Sequence, residues 1–201
     1  MLFRSELVGN VMVDTLLANL ERALGSDVLS RFGLAGRDYG LVTLHRPANV
    51  DDPAMLTGLL GALGEVARSC PLVLPAHPRS RALLEAAGVP PGLRIVPPAG
   101  YLDFVALQAG ARIVLTDSGG VQEETTYLGV PCFTLRDNTE RPVTVRAGTN
   151  TLLGLEPARI NHIVPALAAP KMATKPPPLW DGRASQRVAE VLERSRADTC
   201  S

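Results

Sequence analysis

The chain has 201 residues, 46% hydrophobic and 20% charged, which describes an ordinary soluble globular chain of one generous domain or two small ones. Its net charge is zero, so no basic field favours nucleic acid or an acidic membrane, and no apolar run approaches the ~20 residues of a membrane span. Cys70, Cys132 and Cys200 are odd in number and widely spaced, forming neither a zinc pattern nor a disulfide framework; with no signal-peptide core behind Met1, they read as free thiols of a cytoplasmic protein.

Glu6 to Asn10 reads as a strand end leading to a helix cap at Asn10, and the spacing of Val11, Val13, Leu16, Leu17, Leu20 and Leu24 predicts an amphipathic helix. After a loop or short helix at 25–37, Tyr39–Leu44 is a buried strand ending at His45-Arg46. The pair Asp51-Asp52 caps a helix at 53–69 that begins with Pro53. Leu72–Leu74 is a second strand, stopped by Pro75 and followed by His77 and a helix at 80–87. Leu93–Val96 is a third strand, with a helix at 101–109. Arg112–Thr116 is a fourth strand, running through Asp117-Ser118-Gly119-Gly120 into a helix that ends at Leu128. Cys132–Leu135 and Thr151–Leu153 are the last strands, with a polar loop at 136–141 and a short helix at 142–147 between them. A helix at 157–168, a proline-rich crossing at 169–180, a helix at 184–194 and a frayed tail at 195–201 complete the chain. Strands alternating with helices imply a doubly wound parallel sheet of Rossmann-like type, with its ligand outside the carboxyl ends of the strands.

Several polar residues gather at those ends: His45, Arg46, His77, Arg79, Asp117, Ser118, Arg136, Glu140 and Arg141. The turn Asp117–Gly120 is the centre of the set. A strand that passes through two glycines straight into a helix leaves free backbone N–H groups at the positive end of the helix dipole, an anion site. Glu123 and Glu124 follow in what reads as the first helical turn, where a carboxylate can accept sugar hydroxyls. Together these features read as a nucleotide-diphosphate site; the competing reading is a βα turn with a capping serine. His45 can assist a diphosphate's departure or cap a loop. Tyr101 and Phe104 can stack a base or fill the core. Arg141 can reach a phosphate or pair with Glu140 or Asp137. Asp117 and Glu124 are placed to face one cleft. No P-loop, Ser/His/Asp set or metal constellation stands out, so neither metal nor other cofactor is expected.

The segments Val8–Asp14, Leu41–Asn49, Leu115–Glu124, Leu128–Pro131, Arg136–Pro142, Ala147–Thr149 and Pro178–Gly182 together resemble the non-hydrolysing UDP-N-acetylglucosamine 2-epimerase family. The resemblance implies the C-terminal half of a two-domain GT-B fold: residues 1–24 as interdomain crossing and first helix, 25–183 as a UDP-binding Rossmann-like domain, 184–201 as last helix and tail. It implies His45 as the catalytic residue beside the leaving diphosphate, Ser118, Gly119 and Gly120 on the phosphates, Glu124 on the ribose, Arg141 at the phosphate or sugar end, and Phe104 against uracil. Arg46 and His77 match positions tied in some relatives to an allosteric UDP-sugar, although Pro47 and Ala48 stand where relatives often carry arginine and glutamate. The implied chemistry is conversion of UDP-GlcNAc to UDP-ManNAc by elimination and re-addition of UDP. The carboxylates that move the C2 proton belong to the family's first domain, so the isolated chain is expected to be inactive, with a separate first domain or a second copy as partner. A GT-B glycosyltransferase donor domain and a non-catalytic nucleotide-sugar module are the alternatives. Val188, Val191 and Leu192 of the last helix are expected to be exposed or refolded onto the domain, favouring self-association.

Overall fold

The computed structural model describes residues 5–168 and 175–199. Six strands form one wholly parallel sheet: β1 (Gly40–Thr43), β2 (Leu72–Pro75), β3 (Leu93–Val96), β4 (Ile113–Thr116), β5 (Cys132–Thr134) and β6 (Asn150–Leu152), in the order β3-β2-β1-β4-β5-β6. This is the strand order of the doubly wound nucleotide-binding fold. Alternate residues of each strand face opposite sides, so the apolar runs serve two cores. Val42, Leu72, Leu74, Ile113, Leu115 and Phe133 join Leu56, Leu59, Leu60 and Leu63 on one face. Leu41, Val73 and Val114 join Tyr39, Leu107 and Val121 on the other.

The first face is covered by α4 (Pro53–Ala67), α5 (Pro78–Ala87) and a 3-10 turn at Pro157–Ile163; the second by α2 (Val28–Arg31), α6 (Tyr101–Gly110) and α7 (Gly119–Leu128). Outside α6 and α7 lies α1 (Val11–Leu24), whose Leu16 and Ala23 pack on Val105 in a third small core. The short helices α3 (Pro47–Val50), α8 (Pro142–Arg146) and α9 (Val164–Ala168) and the long α10 (Ala184–Thr199) complete the chain.

The caps follow the sequence. Asn10 Oδ1 accepts from Met12 N at 2.8 Å, and Asp52 Oδ1 from Ala54 N at 2.8 Å and Met55 N at 3.2 Å. Helix α7 ends at Gly129, whose φ of 69° is the left-handed value a residue without Cβ adopts most easily.

Several expectations change. Residues 5–10 form no strand, because no neighbouring strand reaches them; Gly9 instead packs against the Leu179 carbonyl. The loop after β1 closes into α3, with Pro47 in its first turn. The 157–168 segment starts as a 3-10 turn and becomes α-helical only at Val164. The tail does not fray at Ser195: α10 runs to Thr199, its N-terminus held by Asp14 of α1, which accepts from Ala184 N at 3.1 Å and from Ser185 N and Oγ at 2.7 Å each. Val188 and Val191 are half-buried and line a shallow cleft with Glu6 and Val8, while Leu192 stays 60% exposed. The proline-rich crossing lies partly outside the described residues; within the described part, Trp180 is buried. Among the described residues no helix is long and apolar enough to cross a membrane.

Candidate functional site

After β3 the chain returns through α6 to lay β4 beside β1, so the connections leaving β1 and β4 diverge to opposite faces of the sheet. A crevice at the carboxyl ends follows from that divergence. Into it come His45-Arg46 from β1 and Asp117–Gly120 from β4. The two strand ends are tied where Thr43 and Thr116 share a hydrogen bond of 2.6 Å between hydroxyls, and Thr116 Oγ1 also accepts from Ser118 N at 3.0 Å.

Asp117 organises this crevice. It is fully buried, with Oδ1 2.6 Å from His45 Nδ1 and Oδ2 accepting from His45 N (3.0 Å), Arg46 N (2.9 Å) and Asn49 Nδ2 (3.0 Å). Burial alone pushes the Asp117 carboxyl up, but the hydrogen bonds from His45, Arg46 and Asn49 outweigh it and hold the group below its ordinary value. The Asp117 hydrogen bond raises the His45 imidazole above its own ordinary value, against partial burial and the nearby Arg46 and Arg136 charges. With Nδ1 committed to Asp117, Nε2 is the nitrogen left to act, on a side chain 58% exposed. Arg46 also donates from Nε to the Asp117 carbonyl at 3.1 Å, which sets it beside this crevice. His77, at the end of β2, caps α5 with its side chain exposed, and nothing described joins it to Asp117.

Helix α7 begins open. Ser118 is its N-cap, yet its hydroxyl makes no capping bond, so the first N–H groups are left to another acceptor. Gly119 has nothing within 4 Å of where a Cβ would stand, Gly120 only the Met12 methyl at 3.5 Å, and neither has positive φ. Neither backbone strain nor packing requires a glycine at these positions; what the missing side chains provide is access to the helix terminus.

Glu123 and Glu124 are fifth and sixth in α7, in the second turn rather than the first, and both are buried. Glu123 Oε1 accepts from Asn10 Nδ2 at 2.8 Å and pairs with Arg141 Nε at 2.9 Å. Arg141 is therefore tied to Glu123; Glu140 is engaged by Arg136 instead, at 2.6 and 2.9 Å, and Asp137 accepts from Leu155 N. Glu124 Oε2 accepts from Gln108 Nε2 at 2.6 Å, and the Tyr101 hydroxyl lies near enough to the same carboxylate for each to shift the other's pKa. Burial pushes Glu124 above its ordinary value despite these donors, and Tyr101 is pushed up to about 12 by burial and by Glu124. Asp117 and Glu124 therefore do not work as one pair: the first turns toward β1 and the second toward α6. Phe104 is half-buried against the α6-side core, with Leu29, Phe32 and Ala99.

Sequence reasoning placed Asp117 on the rim without its partners, and left Asn49, Gln108 and Asn10 outside the site. The signal for Gln108 was legible, as one amide in the apolar run Val105-Ala-Leu107. For Asn10 and Asn49 there was none, since their partners lie 113 and 68 residues away. Among the described residues no cluster of His, Cys, Asp or Glu has the arrangement to hold a metal, and Cys70 and Cys132 are buried free thiols.

The family model for UDP-N-acetylglucosamine 2-epimerase matches residues 6–193. The UDP-2,3-diacetamido-2,3-dideoxy-D-glucuronate 2-epimerase of Pseudomonas aeruginosa is 39% identical over 189 residues, covering 93% of this chain and 52% of that protein. The UDP-N-acetylglucosamine 2-epimerase of Methanocaldococcus jannaschii is 36% identical over 197 residues, covering 92% of this chain and 54% of its own length. Its crystal structure in complex with UDP-GlcNAc and UDP superposes with a TM-score of 0.81 at 36% identity, over 94% of this chain and 54% of that one. The chain thus spans about half the length of the curated relatives it matches.

Proposed function

The chain belongs to the UDP-N-acetylglucosamine 2-epimerase family, and we propose that it is the UDP-binding C-terminal half of a non-hydrolysing epimerase of that family. One observation carries the reading: an open helix terminus, bared by Gly119 and Gly120, stands at the sheet's switch point beside His45, and Asp117 holds that histidine. In this reading the α7 N–H groups and the Ser118 hydroxyl receive the diphosphate, Glu124 the ribose hydroxyls, Phe104 the uracil and Arg141 the phosphate or sugar end. His45, whose imidazolium form Asp117 favours, donates from Nε2 to the departing phosphate oxygen.

The reaction this site serves breaks the bond from C1 to the UDP oxygen as the C2 proton leaves, giving a glycal. Re-addition of UDP at C1, with a proton delivered to the other face of C2, gives the epimer. The helix terminus and His45 stabilise charge on the leaving diphosphate, a contribution largest in the transition state. The groups that move the C2 proton come from the part of the enzyme that relatives have beyond the matched half. UDP-GlcNAc is the substrate in this reading.

Calorimetry with UDP tests the site, and an epimer assay with UDP-GlcNAc tests the half-enzyme. The expected result is UDP binding without conversion, and conversion once a family N-terminal domain is supplied. Failure to bind millimolar UDP overturns the reading. Transfer of the sugar to an acceptor without epimer formation replaces it with a glycosyltransferase donor domain.

A further inference from the structure

Gln108 is the anomaly of the α6 core. It is fully buried beside Val105, Ala106 and Leu107, yet its Oε1 has no hydrogen-bond partner among the described residues. An amide buried with its carbonyl unmet is destabilising, and an apolar side chain of the same length would avoid that cost. Its Nε2 has one task, the 2.6 Å bond to Glu124 Oε2. Tyr101, seven residues earlier, lies two turns away on the same face of α6, with its hydroxyl near enough to the same carboxylate to lower the Glu124 pKa. Phe104 falls between them by helical spacing.

We propose that Gln108 is a positioning residue: with Tyr101, it fixes the Glu124 carboxylate in the orientation that accepts the ribose hydroxyls of a uridine nucleotide. This rests on the UDP site proposed above and adds to it how the ribose is recognised. A glutamate in the second turn of a helix has several rotamers. The Gln108 amide, with the Tyr101 hydroxyl near the same carboxylate, selects one of them before the ligand arrives, so binding does not have to order it. The same donors favour the charged, accepting form against burial and against Glu123, the neighbouring acid. Glu123 in turn faces Arg141 from the start of α8 and Asn10 from the start of α1.

The test compares UDP with its 2′,3′-dideoxy analogue on the full chain carrying Gln108→Met, which keeps the length and loses the donor. UDP affinity is expected to fall roughly tenfold, the scale of one hydrogen bond to a charged group, while affinity for the dideoxy analogue stays unchanged. The NMR titration midpoint of the Glu124 carboxyl should rise. A purely structural role would weaken both nucleotides alike, and that result overturns the proposal, as does an unchanged preference for UDP. Tyr101→Phe leaves the core intact and should lower the same ratio, so it decides the question if Gln108→Met does not fold. If the unsubstituted chain binds both nucleotides equally, Glu124 has no ribose role and this inference falls while the diphosphate site stands. If it binds no UDP, the proposed function falls as well.

Discussion

Asp117 connects more of the candidate site than any other side chain. Two backbone N–H groups, the Asn49 amide and the His45 imidazole all end on its carboxylate. Removing it takes the carboxylate acceptor from the half-buried His45 and Arg46 N–H groups and leaves Asn49 Nδ2 only the Leu135 carbonyl, so Asp117→Ala should cost on the order of 3 kcal/mol, read as a lower urea midpoint. Asp117→Asn keeps an acceptor and should cost less, but it removes the charge that raises His45. The two pKa shifts have opposite consequences for stability. His45 lies above its ordinary 6.5, so its contribution is complete below that value and fades as pH rises through the raised pKa. Asp117 lies below its ordinary 3.8, so its contribution is complete above that value and is lost only as pH falls through the lowered pKa. UDP affinity is therefore expected to decline as pH rises past the His45 pKa, and Asp117→Asn should move the decline to lower pH. Calorimetry across pH, with the His45 ring followed by NMR, checks this; a decline at the same pH in both proteins would separate His45 from the phosphate.

At the scale of the element, α7 is built for access at one end and closure at the other. Its C-terminus is finished by Gly129 in the left-handed region, with a bond from its N–H to Thr125 O, whereas its N-terminus has no side-chain cap. Gly119→Ala separates the folding role of that turn from its binding role. The added methyl meets nothing in the chain and the backbone does not need a glycine, so stability should hold or rise by about 0.5 kcal/mol. The same methyl stands where a phosphate is proposed to approach the N–H groups, so UDP affinity should drop severalfold or more. Thermal melts with and without UDP read both effects; an unchanged affinity would remove the diphosphate from this helix. The strand–glycine–glycine–helix pattern was legible because turn chemistry is local. The pairing of Arg141 was not: its nearest acid in sequence is Glu140, but the α8 cap brings it to Glu123 and leaves Glu140 to Arg136.

At the scale of the molecule, the chain carries a complete six-stranded sheet with covered faces, so it should fold and bind without the rest of a family enzyme. Its outer layer is less finished. Leu7 is 79% exposed and Leu192 60%, flanking the cleft between 6–8 and α10. An apolar strip of this kind favours association, so light scattering should show a concentration-dependent oligomer. Leu192→Glu should reduce it without changing UDP affinity; a monomer at all concentrations would show that the strip is too small to matter.

The sequence by itself determined the alternation of strand and helix, the caps at Asn10 and Asp52, and the glycine turn that opens α7, because each is set by residues within a few positions of one another. It also located the rim on which the polar residues gather, since every one of them follows a strand. The tertiary structure alone decided which of them meet. His45 reaches Asp117 across 72 residues because the strand order sets β1 beside β4, and Asn10 reaches Glu123 across 113 because α1 packs over α7. Burial then divided the acids into a charge held by His45, a charge held by Arg141 and a carboxylate braced by Gln108. Desolvation and hydrogen-bond partners are properties of the assembled layers, and no local spacing encodes them.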